Sequence, residues 1–253
     1  MLSASIYFAI IKVISRLAWT IRYFRVTFYF LKNLLNHLHS NELFDLPQYI
    51  MYFRSMFEVF KKYLCELTDI SDEEVGQIEQ AAQIKNIRKW QSILHDGEVW
   101  KSMCFIASGC CRLYRYDNNG NDHTVRFGVE HWWMTDPESY NHSAPSHYNI
   151  EALAASTIIL WNKEDWEKLT TGIPSFKLFY DRLNAKAFEA SQQRIFSLIS
   201  SPADERYLEF QKTYPKVFNK VPLHMVASYL GISRETLSRV RKDFVKGIKN
   251  PSV

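Results

Sequence analysis

The chain has 253 residues, 47% of them hydrophobic and 23% charged, with a net charge of +4. That length can bury one or two cores, and the composition excludes a disordered or collagen-like chain. Four cysteines, Cys65, Cys104, Cys110 and Cys111, are spaced by 39, 6 and 1, which is no zinc or iron–sulfur ligand pattern. Adjacent Cys110 and Cys111 should point to opposite faces of a strand, and all four read as inert thiols of a reducing cytoplasm. The charge is unevenly laid out. Residues 1–41 hold five basic residues and no acid (net +5), residues 42–202 hold 16 basic and 22 acidic (net −6), and residues 203–253 hold ten basic and five acidic (net +5). A basic C-terminal segment on an acidic body suits a module that meets a polyanion.

Residues 1–40 are rich in apolar and aromatic side chains, but Lys12, Arg16, Arg22, Arg25 and Lys32 interrupt every stretch. The longest uncharged run, the first 11 residues, falls short of the ~20 a membrane span needs, and no secretory signal is visible. Two readings stand: an amphipathic helix lying on a membrane surface, or translation beginning at Met51 or Met56 with this stretch outside the natural protein. The second is preferred, and residues 1–50 are set apart as a basic apolar extension.

Next in chain order, Ser71 followed three residues on by Glu74 is a capping box and predicts a helix over 71–82. From 87 to 161 the pattern turns to strands: 104–109, 111–116, 124–127, 148–153 and 157–161. An Asn119-Gly120 turn among alternating residues marks a hairpin. Short strands at intervals of about ten residues suggest a barrel or jelly roll. A further helix is expected over 163–170.

Pro174 opens a long helix to Ser200. Phe176, Phe179, Leu183, Ala187 and Ala190 step along it by three and four, as a coiled-coil seam does. It reads either as a dimer-forming helix or as one packed on its own barrel, and the first is preferred.

Residues 223–242 meet the demands of a helix-turn-helix one by one. Ala227 is small at the helix crossing, Gly231 supplies the positive φ of the turn, Ile232 plugs it, and Ser233 caps the second helix. Leu237, Val240 and Phe244 form an inward stripe facing Val226 and Leu230. Glu235, Ser238, Arg239 and Lys242 then share the outer face at i, i+3, i+4 and i+7, with Arg234 beside them. Arginine can bond guanine bidentately and glutamate can accept from cytosine, so Glu235 and Arg239 are the expected base readers. Ser233, Arg234, Glu235, Thr236, Ser238, Arg239 and Lys242 form the candidate DNA-binding set.

With those residues in place, the chain from about 56 to 246 resembles the Crp/Fnr family of regulators. The likeness is carried by Ser233-Arg234-Glu235-Thr236-Leu237-Ser238-Arg239, and by Asp204-Glu205-Arg206-Tyr207-Leu208 with the Tyr214-Pro215 break. Beyond the extension 1–50, for which nothing in the family accounts, the resemblance implies an α+β chain in three parts. These are a cyclic-nucleotide-binding-like β-roll (jelly roll) with flanking helices over 51–172, a dimerisation helix over 173–201, and a winged helix-turn-helix over 202–253.

It also places a phosphate cassette at Thr135, Asp136, Ser146 and His147, with Thr135 where the family has glycine, Asp136 where it has glutamate, and Ser146 where it has arginine. That degenerate cassette lacks a cation, and Glu138 and Glu151 lie nearby in sequence, so cyclic nucleotide is not expected. An iron–sulfur cluster is not expected either, since only Cys65 stands in the N-terminal part. His123, His131, His142 and His147 lack the tight spacing of a metal site, so no metal, cofactor or catalytic residue is assigned.

The expected function is a cytoplasmic, non-enzymatic, homodimeric regulator reading an inverted repeat in double-stranded DNA, with RNA polymerase as a further candidate partner and no membrane role. The alternatives are a true cyclic-nucleotide receptor and a regulator tethered to a membrane through residues 1–40.

Overall fold

The computed structural model describes residues 46–215, 217, 218 and 221–247. The chain separates into two compact units, Met1–Met51 and Tyr52–Val253. Of the first, only residues 46–51 are described, so the readings made for residues 1–40 lie outside the described residues, as does the end of the winged unit, residues 248–253.

Helix α1 (Leu46–Leu67) leads into α2 (Asp72–Ala81). The capping box that opens α2 is formed: the Ser71 hydroxyl accepts from the Glu74 amide while the Glu74 carboxylate accepts from the Ser71 amide at 2.9 Å. Eight strands follow: β1 (Gln83–Ile87), β2 (Ser92–Leu94), β3 (Ser102–Ser108), β4 (Cys110–Tyr116), β5 (Asp122–Val129), β6 (Trp133–Met134), β7 (Asn149–Ala152) and β8 (Ser156–Asn162). They form two four-stranded antiparallel sheets, ordered β1-β8-β3-β6 and β2-β7-β4-β5. Between β3 and β4 the chain reverses at Gly109, whose φ is +102°. A Cβ there would sit 2.2 Å from the Ser156 hydroxyl, so only glycine fits.

The two sheets share one core. Phe105 and Trp161 from one and Leu113 and Ile150 from the other are buried in it, with Phe57, Phe60 and Leu64 of α1. Aromatic rings fill much of the space. Phe60 lies 4.8 Å from Trp161 and Trp133 lies 5.3 Å from Trp166, in tilted and edge-on geometries that suit ring quadrupoles. The Trp161 indole still finds a partner, donating to the Ile78 carbonyl at 3.0 Å. Cys111 belongs to this core whereas Cys110 packs on the opposite face, as the alternation of a strand requires.

Short α3 (Pro137–His142) interrupts the strands, and α4 (Lys163–Gly172) closes the roll. Then α5 (Pro174–Ser200) runs for 27 residues. The stripe expected as its seam divides: Phe176 and Phe179 are buried in the roll core and Leu183 packs against it, while Ala187 and Ala190 are exposed. The first half of that stripe is therefore intramolecular.

The C-terminal helices are α6 (Ala203–Thr213), α7 (Leu223–Leu230) and α8 (Arg234–Val245). They enclose a second core of Tyr207, Phe210, Val226, Ala227, Leu230, Leu237 and Val240. Cys110, Phe127 and Leu153 of the roll enter the same core, so the helices are docked on the outer face of the β4–β5 sheet.

Candidate nucleic-acid interface

The turn between α7 and α8 forms for local reasons. Gly231 takes the left-handed conformation (φ +64°, ψ +39°), and the Ile232 amide reaches back to the Ala227 carbonyl at 3.1 Å, closing a Schellman-type end. Ser233 then caps α8, its hydroxyl accepting from the Thr236 amide at 3.1 Å and donating to the Thr236 hydroxyl at 3.2 Å. These two members of the candidate set are thus engaged with one another at the start of the helix. Leu237 and Val240 point inward and are buried, which leaves the opposite face to water.

That face carries Arg234, Glu235, Ser238, Arg239 and Lys242, all exposed. The backbone N–H of Glu235 itself, then the Ser233 hydroxyl and the Arg234 charge, hold the Glu235 carboxyl below its ordinary range. An ionised carboxylate is an acceptor only, and this one stands in the first turn of α8. Arg241, by contrast, turns back over the Phe218 ring at 5.4 Å.

The unit bearing this face is held against β5. That strand is the last in its sheet, so one edge of its main chain has no strand neighbour. The Ser228 hydroxyl of α7 accepts from the Thr124 amide at 2.9 Å and donates to the Asp122 carbonyl at 3.2 Å. Arg194 of α5 donates to the carbonyls of Val125 (2.8 Å) and Tyr229 (2.9 Å) and lies 3.7 Å over the Tyr229 ring. Phe127 is packed between Phe210, Tyr214 and Tyr229 at 5.3–5.9 Å. Sequence reading missed these contacts, because they join residues about 35 to 105 positions apart and no local pattern marks them.

The cassette residues are brought together but turned on one another. Asp136 is 2% exposed; one carboxylate oxygen accepts from the Glu138 and Ser139 amides and the other from the Ser146 hydroxyl at 2.6 Å. Ser146 also accepts from the Tyr148 amide at 2.9 Å. The Thr135 hydroxyl accepts from the Trp100 indole at 3.0 Å, and His147 is exposed. Glu151 is taken up by Arg112, which is only 5% exposed and also pairs with Asp122. One cation near the cassette was not foreseen: Arg126, from β5, donates to the Thr135 carbonyl at 3.5 Å.

The residues do not fit an iron–sulfur cluster. Cys110 and Cys111 face opposite ways, Cys104 is buried and Cys65 is exposed on α1. Among the described residues no group of three or more His, Cys, Asp or Glu could hold a metal ion. His123 is engaged with Asp117 at 3.0 Å, and His131 stacks on Phe105.

Residues 84–171 match the family model of the cyclic nucleotide-binding domain. The fumarate and nitrate reduction regulatory protein of Salmonella typhi is 23% identical over 197 residues, covering 72% of this chain and 77% of its own. That of Vibrio cholerae serotype O1 is 24% identical over 195 residues, with the same coverage. The chain thus carries a cyclic nucleotide-binding-type domain and is similar to regulators of the Crp/Fnr type. The FixK2 structure from Bradyrhizobium japonicum superposes on this chain with a TM-score of 0.56 at 17% identity, over 68% of this chain and 89% of that one. The c-di-GMP responsive global regulator CLP of Xanthomonas campestris does so with a TM-score of 0.57 at 10% identity, over 72% and 96%. These two likenesses are of fold alone. No described helix of the chain is long and apolar enough to cross a membrane.

Proposed function

We propose that this chain is a sequence-specific DNA-binding transcriptional regulator that acts as a homodimer on an inverted repeat and does not respond to cyclic nucleotide. The relatives it matches are named as regulatory proteins, and the chain reads as a regulator rather than an enzyme. One observation carries the DNA-binding part: a capped helix whose buried stripe leaves Glu235, Ser238, Arg239 and Lys242 together on an exposed face. A guanidinium and a carboxylate at i, i+4 supply the donors for guanine and the acceptor for cytosine, and lysine suits a phosphate. Ser233 and Thr236 position this face through the cap, and Arg234 lies near the backbone of the duplex.

The parts proposed are a sensor roll over 51–172, a dimer helix over 173–201 and a DNA-binding unit over 202–253, working in the cytoplasm with RNA polymerase as a candidate partner. Two copies joined through α5 would present their α8 helices about one turn of duplex apart. The bonds within the cassette support the exclusion of cyclic nucleotide, because the Asp136 carboxylate already takes the amides at the head of α3. Affinity selection from random duplexes tests the reading. It should enrich an inverted repeat, and selection without enrichment would refute it. Calorimetry with cyclic AMP and cyclic GMP should show no binding at micromolar concentration, and binding there would refute the exclusion.

A further inference from the structure

The C-terminal helices do not hang from α5 by the chain alone. At the corner between α5 and α6 the Ser197 hydroxyl donates to the Glu209 carboxylate at 3.0 Å, and Arg206 donates to the Leu198 carbonyl at 3.0 Å. Both bonds cross the corner at Ser201 and Pro202, through which the helices would have to swing. Farther back along α5, the Arg194 guanidinium ties three elements at once, through the carbonyls of Val125 on β5 and Tyr229 on α7. The Ser228 hydroxyl bridges α7 to Thr124 and Asp122 of β5. Beneath these bonds lie Phe127, Phe210 and Tyr214, each 3% exposed or less. A swing would return the three rings to water, a loss that is large beside the marginal stability of a domain. Apolar burial has no direction, so it holds the unit down without fixing its angle. The angle is set by the bonds of Arg194 and Ser228 to main-chain groups, which tolerate little change in distance or direction. Thr124 is itself 3% exposed, so its amide needs that hydroxyl in this pose.

We propose that the chain carries its DNA-reading unit locked on its own roll in one pose, with Arg194 and Ser228 as the positioning residues, and presents α8 without a ligand to turn it. The proposal rests on the reading of α8 as a DNA-binding helix. The lock engages Ser228 and Tyr229 of α7 and leaves Arg234, Glu235, Ser238, Arg239 and Lys242 exposed, so it positions the reading face without covering it. Control of such a regulator falls on the amount of protein rather than on its conformation.

Distances between spin labels in the full chain test this. Cys65 is exposed on α1 while Cys104, Cys110 and Cys111 are buried, and Val245→Cys adds a second accessible thiol at the end of α8, where Val245 is 88% exposed. Labelled chain diluted with excess unlabelled chain reports the two sites of one protomer. The wild-type background should give one narrow distance, unchanged when the selected duplex is added. Ser228→Ala and Arg194→Gln should each replace it by a broad or divided distribution with helix content kept. A residue that only added stability would lower Tm and leave the distance sharp. A competent pose reduced to about one tenth of the population should weaken binding of the selected duplex about tenfold. If the variants lose helix content, the wild-type distances with and without duplex decide. A broad wild-type distribution, a shift on adding duplex, or a sharp unchanged distance in both variants would overturn the lock. A single wild-type distance in a chain that selects no duplex would support the lock and refute the DNA reading.

Discussion

Arg239 is exposed on α8 one turn beyond Glu235, and truncating it separates base reading from general attraction to a polyanion. Arg239→Ala should cost about 1–3 kcal/mol on the selected site and relax one position of the half-site. Lys242→Ala should weaken all duplexes alike and lower the salt slope by about 1; anisotropy titrations over a salt series check both. Ser233→Ala removes the acceptor for the Thr236 amide and should lower stability by about 1 kcal/mol, read by denaturant unfolding. At this scale the sequence was most legible where chemistry is local. Gly231, Ser233 and the Ser71–Glu74 box each act within three or four residues, so their patterns foretold their geometry. Asp136 was less legible: its place could be named, but its bond to Ser146 depends on a loop whose path no spacing reveals. Arg126 was not legible as a neighbour of the cassette, because a basic residue in a strand looks the same whether it meets a carboxylate, as Arg112 does, or a main-chain carbonyl.

Along α5 the exposed side chains make a pattern of their own. Leu178, Phe188, Ile195 and Ile199 are exposed, Phe188 at 66% and Ile199 at 81%, and they fall at steps of ten, seven and four, compatible with the 3.5-residue repeat of a seam. A monomer gains nothing from large apolar side chains in water on one long helix, so this line rather than the buried Phe176 and Phe179 is the contact proposed between copies. Phe188→Glu and Ile195→Asp together should shift the chain to monomer in sedimentation equilibrium while the helix content is kept; an unchanged mass would remove α5 as the dimer contact. The helix itself was plain from Pro174 and its periodicity. Its faces were not, because Phe176, Phe179, Leu183, Ala187 and Ala190 satisfy helical spacing as well as the outer line does. Which line meets the roll is decided by packing against Trp166, a matter of tertiary structure. Strands followed the same division. Those with alternation or an Asn-Gly turn, such as β4 and β5, were foreseen, whereas β1, β2 and the two-residue β6 are too short or too mixed to stand out.

For the molecule as a whole, the thiols test the packing of both cores at once. Cys104, Cys110 and Cys111 are buried and Cys65 is exposed. Burial pushes the Cys111 thiol up to about 12 and raises Cys104 as well, so both stay protonated and shielded at neutral pH. Titration with a thiol reagent should show one fast-reacting group in the native chain and four after unfolding; several fast groups would mean that the cores are open. The charge layout read at the outset also finds its place here, since the basic C-terminal segment is the one that carries α8. The account rests on that helix face meeting the bases of a duplex. Its most direct test compares sites selected by the wild type and by Arg239→Ala from one random library. The account predicts an inverted repeat for the wild type and the loss of preference at a single, symmetry-related base pair for the variant. Identical motifs from the two proteins, or none from either, would contradict it.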